Sequence, residues 1–193
     1  MTSIKETIKE SSKKFVNIVW PRIRLQIGGG WLIPVESVTD SKFADYLDMQ
    51  AGIDAWQVLG NRDGIRGIAS RVQTSKTQNP FNTFTVRYKI ASGHETEFQK
   101  RIRAIKHTDK GLLFPFLTTQ AFLDKDERFL SAAAIKTVSL FESILICPEL
   151  WHKRVAPDGN VFIYAFWEDL QRNGYNIIIV DNSDIYDYKW REK

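Results

Sequence analysis

The chain has 193 residues, of which 43% are hydrophobic and 26% are charged. This composition is ordinary for a folded domain, and it excludes an intrinsically disordered or low-complexity chain. The net charge of +4 is mildly basic, so it permits an anionic partner such as nucleic acid without requiring one. The single cysteine, Cys147, excludes an internal disulfide framework and is typical of a reducing compartment.

Length and hydropathy predict one domain that spans residues 1–193. No apolar stretch approaches the length of a membrane span, and the N-terminus lacks the apolar segment of a secretion signal. We therefore expect a cytoplasmic protein with no membrane partner. Within the domain we expect a core over roughly residues 40–145, a helical extension over residues 1–20 and C-terminal strands over residues 160–193.

The N-terminal part of the chain predicts a helix, a strand and a loop. Residues 2–20 carry apolar side chains at roughly helical spacing with lysines between them, and Pro21 is expected to end this helix. Residues 22–27 alternate in polarity and predict a strand. The three glycines at 28–30 predict a loop, because they lack the spacing of a phosphate-binding glycine motif.

The rest of the chain predicts strands and helices in mixed order, from hydrophobic periodicity and from turn residues. The predicted elements are a helix at 40–52, strands at 53–59, 65–73 and 81–90, a helix at 95–107, a strand at 112–123, a helix at 130–145 and two terminal strands at 161–167 and 176–181. The first two strands flank a glycine-containing turn, which favours a hairpin.

Asp54 stands at the head of the first hairpin strand, among side chains that favour burial. On the second strand Arg71 and Gln73 share a face, because successive strand residues alternate between faces. Such a hairpin brings a carboxylate, an amide oxygen and a cation together. Oxygen ligands suit Mg²⁺, and a neighbouring cation stabilises charge that develops on a phosphate. The alternative is that Asp54 has only a turn or capping role at the strand entrance, which Gly52 marks.

The order helix-strand-strand-strand-helix-strand, with Gly52-Ile53-Asp54 at the head of one strand and Arg71-Val72-Gln73 on the next, resembles the core of the PD-(D/E)XK nuclease superfamily. The resemblance covers roughly residues 40–123. It implies an α/β (α+β) fold with a restriction-endonuclease-like αβββαβ core, in which helices flank a mixed central sheet. The N-terminal helix and the C-terminal strand pair would be additions to that core.

The resemblance also implies a metal site. In that superfamily an Asp at the head of a strand and a following Glu or Gln bind Mg²⁺, and a Lys two residues later positions or activates the attacking water. Asp54 would therefore be the metal-binding acid. One of Glu36, Asp45 or Asp48 would match the acid that often lies upstream on the helix.

The second strand departs from the superfamily pattern, since Arg71-x-Gln73 stands where an acid-x-Lys is expected. Gln73 would then supply an amide ligand to the metal. The cation would come from Arg71 or, on the adjacent strand, from Lys89. The resemblance also allows a site that has lost its activity.

Two functions follow from these observations. The first is a nuclease that uses Mg²⁺ or Mn²⁺ to hydrolyse phosphodiester bonds in DNA, which is expected in preference to RNA. The second is a non-catalytic accessory protein, of phage or mobile-element type, that binds nucleic acid or another protein on the same fold. Many members of the superfamily are dimers, so the resemblance allows a homodimer. The basic residues expected to contact nucleic acid are Arg66, Arg87, Lys100, Arg101 and Arg103.

Other recognised sites are not indicated. The three histidines and Cys147 have no zinc-site spacing. The six tryptophans and twelve phenylalanines are expected mostly in the core, and the tryptophans are not spaced as a platform for stacking bases.

Overall fold

The computed structural model describes residues 10–37, 41–60, 64–75 and 80–182. The helices are α1 (10–14, continued by Phe15–Val19 and Trp20–Ile23), α2 (Ser41–Asp45, continued by Tyr46–Ala51), α3 (Glu97–Lys106), α4 (Thr137–Ile146) and α5 (Trp167–Arg172). The strands are β1 (Trp31–Pro34), β2 (Ala55–Val58), β3 (Ile65–Thr74), β4 (Thr83–Lys89), β5 (Leu117–Leu123), β6 (Phe129–Lys136), β7 (His152–Val155), β8 (Val161–Phe166) and β9 (Ile177–Asp181).

The strands form two sheets. The main sheet has six strands in the order β1-β2-β3-β5-β6-β9, and the second sheet has three in the order β4-β8-β7. Every pairing is antiparallel except that of β3 with β5. A parallel pair requires a long crossover connection, and here that connection contains β4 and α3. These findings confirm a mixed α/β fold with a mixed sheet and flanking helices.

The main sheet is buried between two layers. In β6, Ala132 and Ala134 belong to one apolar cluster, which includes Phe15 and Val19 of α1. The intervening Ala133 belongs to a second cluster, which contains residues of α4, α5 and the second sheet. Since strand side chains alternate between faces, α1 covers one face of the sheet and the second sheet with α4 and α5 covers the other.

The second sheet changes the predicted core. The element order α2-β2-β3-β4-α3-β5 is that of the predicted αβββαβ core. However, the third of these strands, β4, pairs with β8 rather than with β3. Its place beside β3 is taken by β5, and β1 pairs with the other side of β2. The predicted core elements therefore lie in two sheets instead of one.

The N-terminal helix is part of the core. Phe15, Val19 and Ile23 are each at most 1% exposed. The predicted strand at 22–27 is wrong, because α1 continues to Ile23 and helical turns follow. Ile23 and Ile27 are both buried at helical spacing, and the amide of Ile27 donates to the carbonyl of Ile23 (3.3 Å). The expectation that Pro21 ends this helix is also wrong, because Pro21 lies in the first turn of the Trp20–Ile23 segment, where its missing amide hydrogen costs little, and the helix continues past it.

Two predictions in the C-terminal half are also wrong. The predicted helix at 130–145 begins only at Thr137, because the alanine-rich Phe129–Lys136 segment is a strand between β5 and β9. Small side chains suit a strand that is covered on both faces, and pairing overrides their helix propensity. The predicted terminal strands are present, but β8 and β9 lie in different sheets and do not pair.

None of the helices in the described ranges combines the length and the apolar character needed to cross a membrane.

Phe122→Ala is expected to lower the free energy of unfolding by about 3–5 kcal/mol, because it opens a cavity in the layer between the sheets. Phe122 is 1% exposed, and its ring lies 5.7 Å from that of Trp167. The matched control is Phe81→Ala, at a side chain that is 67% exposed, which is expected to cost less than about 0.5 kcal/mol. Urea unfolding followed by circular dichroism measures both. Equal losses would contradict this packing arrangement.

Candidate functional site

A cleft lies beside β3, where the two sheets approach each other. It consists of a cavity of about 310 Å³ and a larger one of about 870 Å³. The two cavities share five lining residues, so they lie side by side and are together called the cleft. The shared residues are Asp54, Ser70, Arg71, Thr85 and Arg87.

Asp54 is held in a fixed position at the head of β2. Its amide donates to the carbonyl of Ile68 (2.9 Å), and its Oδ2 accepts a hydrogen bond from the amide of Ser70 (2.5 Å). Its carbonyl accepts from the amide of Val35 (2.9 Å). These contacts tie Asp54 to β3 on one side and to the end of β1 on the other. The carboxylate lines both cavities of the cleft.

Arg71 joins β3 to β4 and α3. Its Nη1 donates to the carbonyl of Thr85 (2.6 Å), and its Nη2 contacts Oε2 of Glu97 (3.0 Å). The same carboxylate oxygen accepts from the amide of Arg87 (3.3 Å). The guanidinium predicted to act on a phosphate is therefore bound within the protein.

Glu97 is brought to this point by the start of α3. Thr96 and Gln99 form a capping box, in which each side chain bonds the backbone amide of the other residue. Glu97 is thus the first helical residue. Burial raises the pKa of its carboxyl group, but the guanidinium groups of Arg71 and Arg101 and the bond from Arg87 outweigh this, so the pKa lies below its usual value.

Arg101 is a buried side chain that binds the backbone just before Asp54. The side chain is 6% exposed, and it donates to the carbonyls of Ala51 and Gly52, the latter at 3.0 Å. Burial lowers its pKa, while the charges of Glu97 and Asp54 act in the opposite direction. Gly52 has φ of +55°, and a Cβ atom there would lie 1.8 Å from Nη2 of Arg101. Only glycine allows this close approach.

The other residues predicted for catalysis lie apart from this network. Gln73 lines the larger cavity but not the smaller one. Lys89 is the last residue of β4, is exposed, and lines neither cavity. Glu36 is exposed, and its Oε2 accepts from Oγ of Ser12 (3.0 Å). The side chains of Asp45 and Asp48 are outside the part of the chain that the structure describes.

Three further residues were predicted to bind nucleic acid. Lys100 lines the smaller cavity. Arg103 forms an ion pair with Glu95 (2.6 Å). Arg66 lies outside the cleft, where its Nε donates to Oε1 of Gln57 (2.8 Å) and its Nη2 to the carbonyl of Ile27. Arg66 thus holds the glycine-rich loop against β2 and β3.

Asp54 and Gln73, two of the predicted magnesium ligands, both line the larger cavity. Asp54 and Glu97 both line the smaller cavity, but Glu97 is bound by arginine, whose positive charge repels a cation. Gln73 does not share that cavity with them. Within the described ranges, no group of three or more His, Cys, Asp or Glu side chains could hold a metal ion. Mg²⁺ or Mn²⁺ binding therefore stays a prediction, with Asp54 as its predicted acid.

The larger cavity also has an aromatic wall that the sequence analysis missed. On β8 the side chains of Phe162, Tyr164 and Phe166 point into the cleft, whereas the intervening residues are buried. On β7, Arg154 lines the same cavity. The signal was present in the alternation of VFIYAF, which places three aromatic residues on one face of a strand.

Glu97→Gln is expected to lower the free energy of unfolding at pH 7 by roughly 1–3 kcal/mol, because it leaves Arg71 and Arg101 without their shared counter-charge. Since the folded-state pKa of Glu97 lies below its unfolded value, this stabilisation is present above about pH 4.3 and disappears as pH falls through the folded-state pKa. Urea unfolding between pH 7 and pH 3 measures the difference from the wild type.

The matched control is Glu95→Gln, whose partner Arg103 is 49% exposed. This more exposed ion pair is expected to contribute no more than about 1 kcal/mol. Equal losses in the two variants, or a loss in Glu97→Gln that does not shrink towards low pH, would contradict the network described above.

Comparison with models of known protein families gave no match to this chain, and comparison with curated proteins gave none either. The geometry of the cleft is therefore the basis for assigning a function.

Proposed function

We propose that the protein binds nucleic acid in the cleft, with phosphates of the bound strand at the arginines of the second sheet. One observation carries this proposal. Arg87, Phe162 and Arg154 are cross-strand neighbours, and all three side chains line the larger cavity. Both arginines are exposed. A guanidinium binds a phosphate through two parallel N–H donors, which makes arginine well suited to this contact.

These two arginines differ from Arg71 and Arg101, whose donors are used inside the protein. Among the described residues, no carboxylate lies within ion-pair distance of the Arg87 or Arg154 guanidinium. The guanidinium of Arg87 lies over the ring of Phe162, 5.5 Å from its centroid. This contact fixes the side chain while its N–H edge stays available to an anion.

The charge and the size of the cleft support a polymeric anion. Among the described residues, the charged side chains that line the larger cavity are three arginines and one acid, Asp54. Ser11, Ser12 and Thr85 add hydroxyl groups to its wall. Its volume of about 870 Å³ is larger than a single phosphate group fills. A nucleic-acid strand presents phosphates in series, so it can engage both arginines at once.

A restriction-endonuclease-like core remains part of the proposal, and the element order α2-β2-β3-β4-α3-β5 supports it. Hydrolysis of bound DNA is a second candidate function. The position of Asp54 favours it, because this carboxylate lines both cavities next to Arg87. Binding is the better supported function, since it requires only groups that the cleft already presents.

Arg154→Ala is expected to weaken binding of a fluorescein-labelled 16-mer DNA at low salt by about 5- to 20-fold, and to reduce the salt dependence by about one phosphate contact. Fluorescence anisotropy over a salt series measures both quantities. The matched control is Lys153→Ala, because Lys153 is the adjacent residue of β7, is also exposed, and does not line the cleft.

Equal weakening by the two substitutions would mean that binding is diffuse and does not use the cleft. Absence of binding by the folded wild type at low salt, to DNA or to RNA, would overturn the proposed function.

Asp54→Asn is expected to leave DNA affinity in EDTA unchanged or to raise it by up to about 3-fold, because it removes a negative charge from the cleft but keeps an oxygen acceptor for the Ser70 amide. Binding that does not depend on metal is the expected result. Incubation with Mg²⁺ or Mn²⁺, followed by denaturing electrophoresis of the DNA, tests the second candidate. Metal-dependent cleavage that Asp54→Asn abolishes would establish the nuclease and give Asp54 its predicted role.

A further inference from the structure

One face of the second sheet carries aromatic side chains in register with basic ones. The strand pairing places Arg87, Phe162 and Arg154 in one row across the three strands. The next row contains Thr85, Tyr164 and His152, and the last contains Thr83 and Phe166. No acid occurs among these eight residues. The face is therefore aromatic along its central strand and positively charged at one end.

Three rings on this face, those of Phe162, Tyr164 and Phe166, line the larger cavity. The ring centroids of His152 and Tyr164 are 5.2 Å apart, and those of Tyr164 and Phe166 are 6.0 Å apart. Phe166 is 38% exposed, so part of its ring is open to solvent. The opposite face of β8 is different, because Val161, Ile163 and Ala165 are each at most 7% exposed.

Packing alone does not account for the aromatic face. The apolar cluster between the sheets takes Ile163 and Ala165 from the buried side of β8 and none of the three aromatic residues on the other side. Those three aromatic side chains line the larger cavity instead. If this face only had to form the surface of a folded sheet, polar side chains could occupy it. They would expose less apolar area to solvent.

We propose that this face binds the unpaired bases of a single-stranded nucleic acid, DNA or RNA, with two or three bases stacked on Phe162, Tyr164 and Phe166. The inference rests on the proposed function and specifies its substrate class. Alternate residues of a strand are about 6.7 Å apart, so three of them span about 13 Å. An extended single strand has a similar rise per nucleotide, and aromatic sheet faces elsewhere stack bases in this way.

The arrangement of charge fits a single strand on this face. Arg87 and Arg154 lie on either side of Phe162, at one end of the aromatic series. Bases would contact the rings while the backbone passes along the arginines. A duplex presents only its grooves and phosphates, since its bases are stacked on one another and cannot reach a ring on the protein. The aromatic face therefore favours unpaired strands, whereas the arginines alone would not discriminate.

The test compares two substitutions of Phe166. Phe166→Leu keeps an apolar side chain but removes the flat aromatic surface, and it is expected to weaken binding of a mixed-sequence single-stranded 16-mer by about 5- to 30-fold. Phe166→Trp keeps an aromatic surface and is expected to retain wild-type affinity within about 2-fold. Binding of the corresponding duplex is expected to be weaker in the wild type and unchanged in both variants. Fluorescence anisotropy measures each affinity, with DNA and RNA strands in separate arms.

The matched control is Phe116→Leu. Phe116 is 43% exposed, close to the 38% of Phe166, and the Arg66 guanidinium lies 5.1 Å from its ring centroid. It does not line the cleft, so its substitution is expected to leave every affinity unchanged. Circular dichroism and the urea midpoint show whether each variant is folded.

The outcomes separate this inference from the function on which it rests. If single strand and duplex bind equally, or if Phe166→Leu has no effect while Arg154→Ala still weakens binding, the stacking face is overturned and nucleic-acid binding stands. If the folded wild type binds neither form at low salt, both fail. Weakening by Phe166→Leu that Phe166→Trp does not share, on single strands only, supports the inference.

Discussion

The ion network of Arg71, Glu97 and Arg101 joins parts of the chain that are distant in sequence. Arg71 connects β3 to the carbonyl of Thr85 on β4 and to Glu97 on α3. Arg101, one turn further along α3, supports the segment that precedes Asp54. Charges in a partly buried site are stable only when they are paired and hydrogen-bonded, so each member constrains the positions of the others. Because the network joins β3, β4 and α3, it fixes the positions of the elements that form the walls of the cleft.

Five of the described arginines fall into two groups. Arg71 and Arg101 satisfy their donors on a carboxylate or on backbone carbonyls, and Arg66 does the same at the glycine-rich loop. Arg87 and Arg154 instead direct their guanidinium groups towards the larger cavity. Under the proposed function, stability and binding would therefore use the same residue type at different positions. Burial and available partners decide which role each residue has.

The second sheet gives the cleft its other wall. Because β4 leaves the main sheet and pairs with β8, a strand from the middle of the chain is joined to two from the C-terminal third. The buried side of this sheet packs in the core against the main sheet, and residues of its other side line the larger cavity together with residues of β3. The aromatic residues of β8 and Asp54 of the hairpin thus line one cavity, although more than a hundred residues separate them in sequence.

Local patterns in the sequence determined most of the elements, because helix and strand periodicity is a property of neighbouring residues. They were enough to place the β2–β3 hairpin, α3 and the strands β8 and β9, and to identify Asp54 as an unusual carboxylate beside β3. They failed at Phe129–Lys136, where burial on both faces made an alanine-rich segment into a strand. Long-range pairing decided the rest: that β4 belongs to the second sheet, that Arg71 is bound to Glu97, and that Phe162, Tyr164 and Phe166 face the cleft. The neighbours of a residue in sequence do not show which distant residues the tertiary structure will place beside it. These distant partners decide which charged groups are paired within the protein and which remain available to bind a ligand.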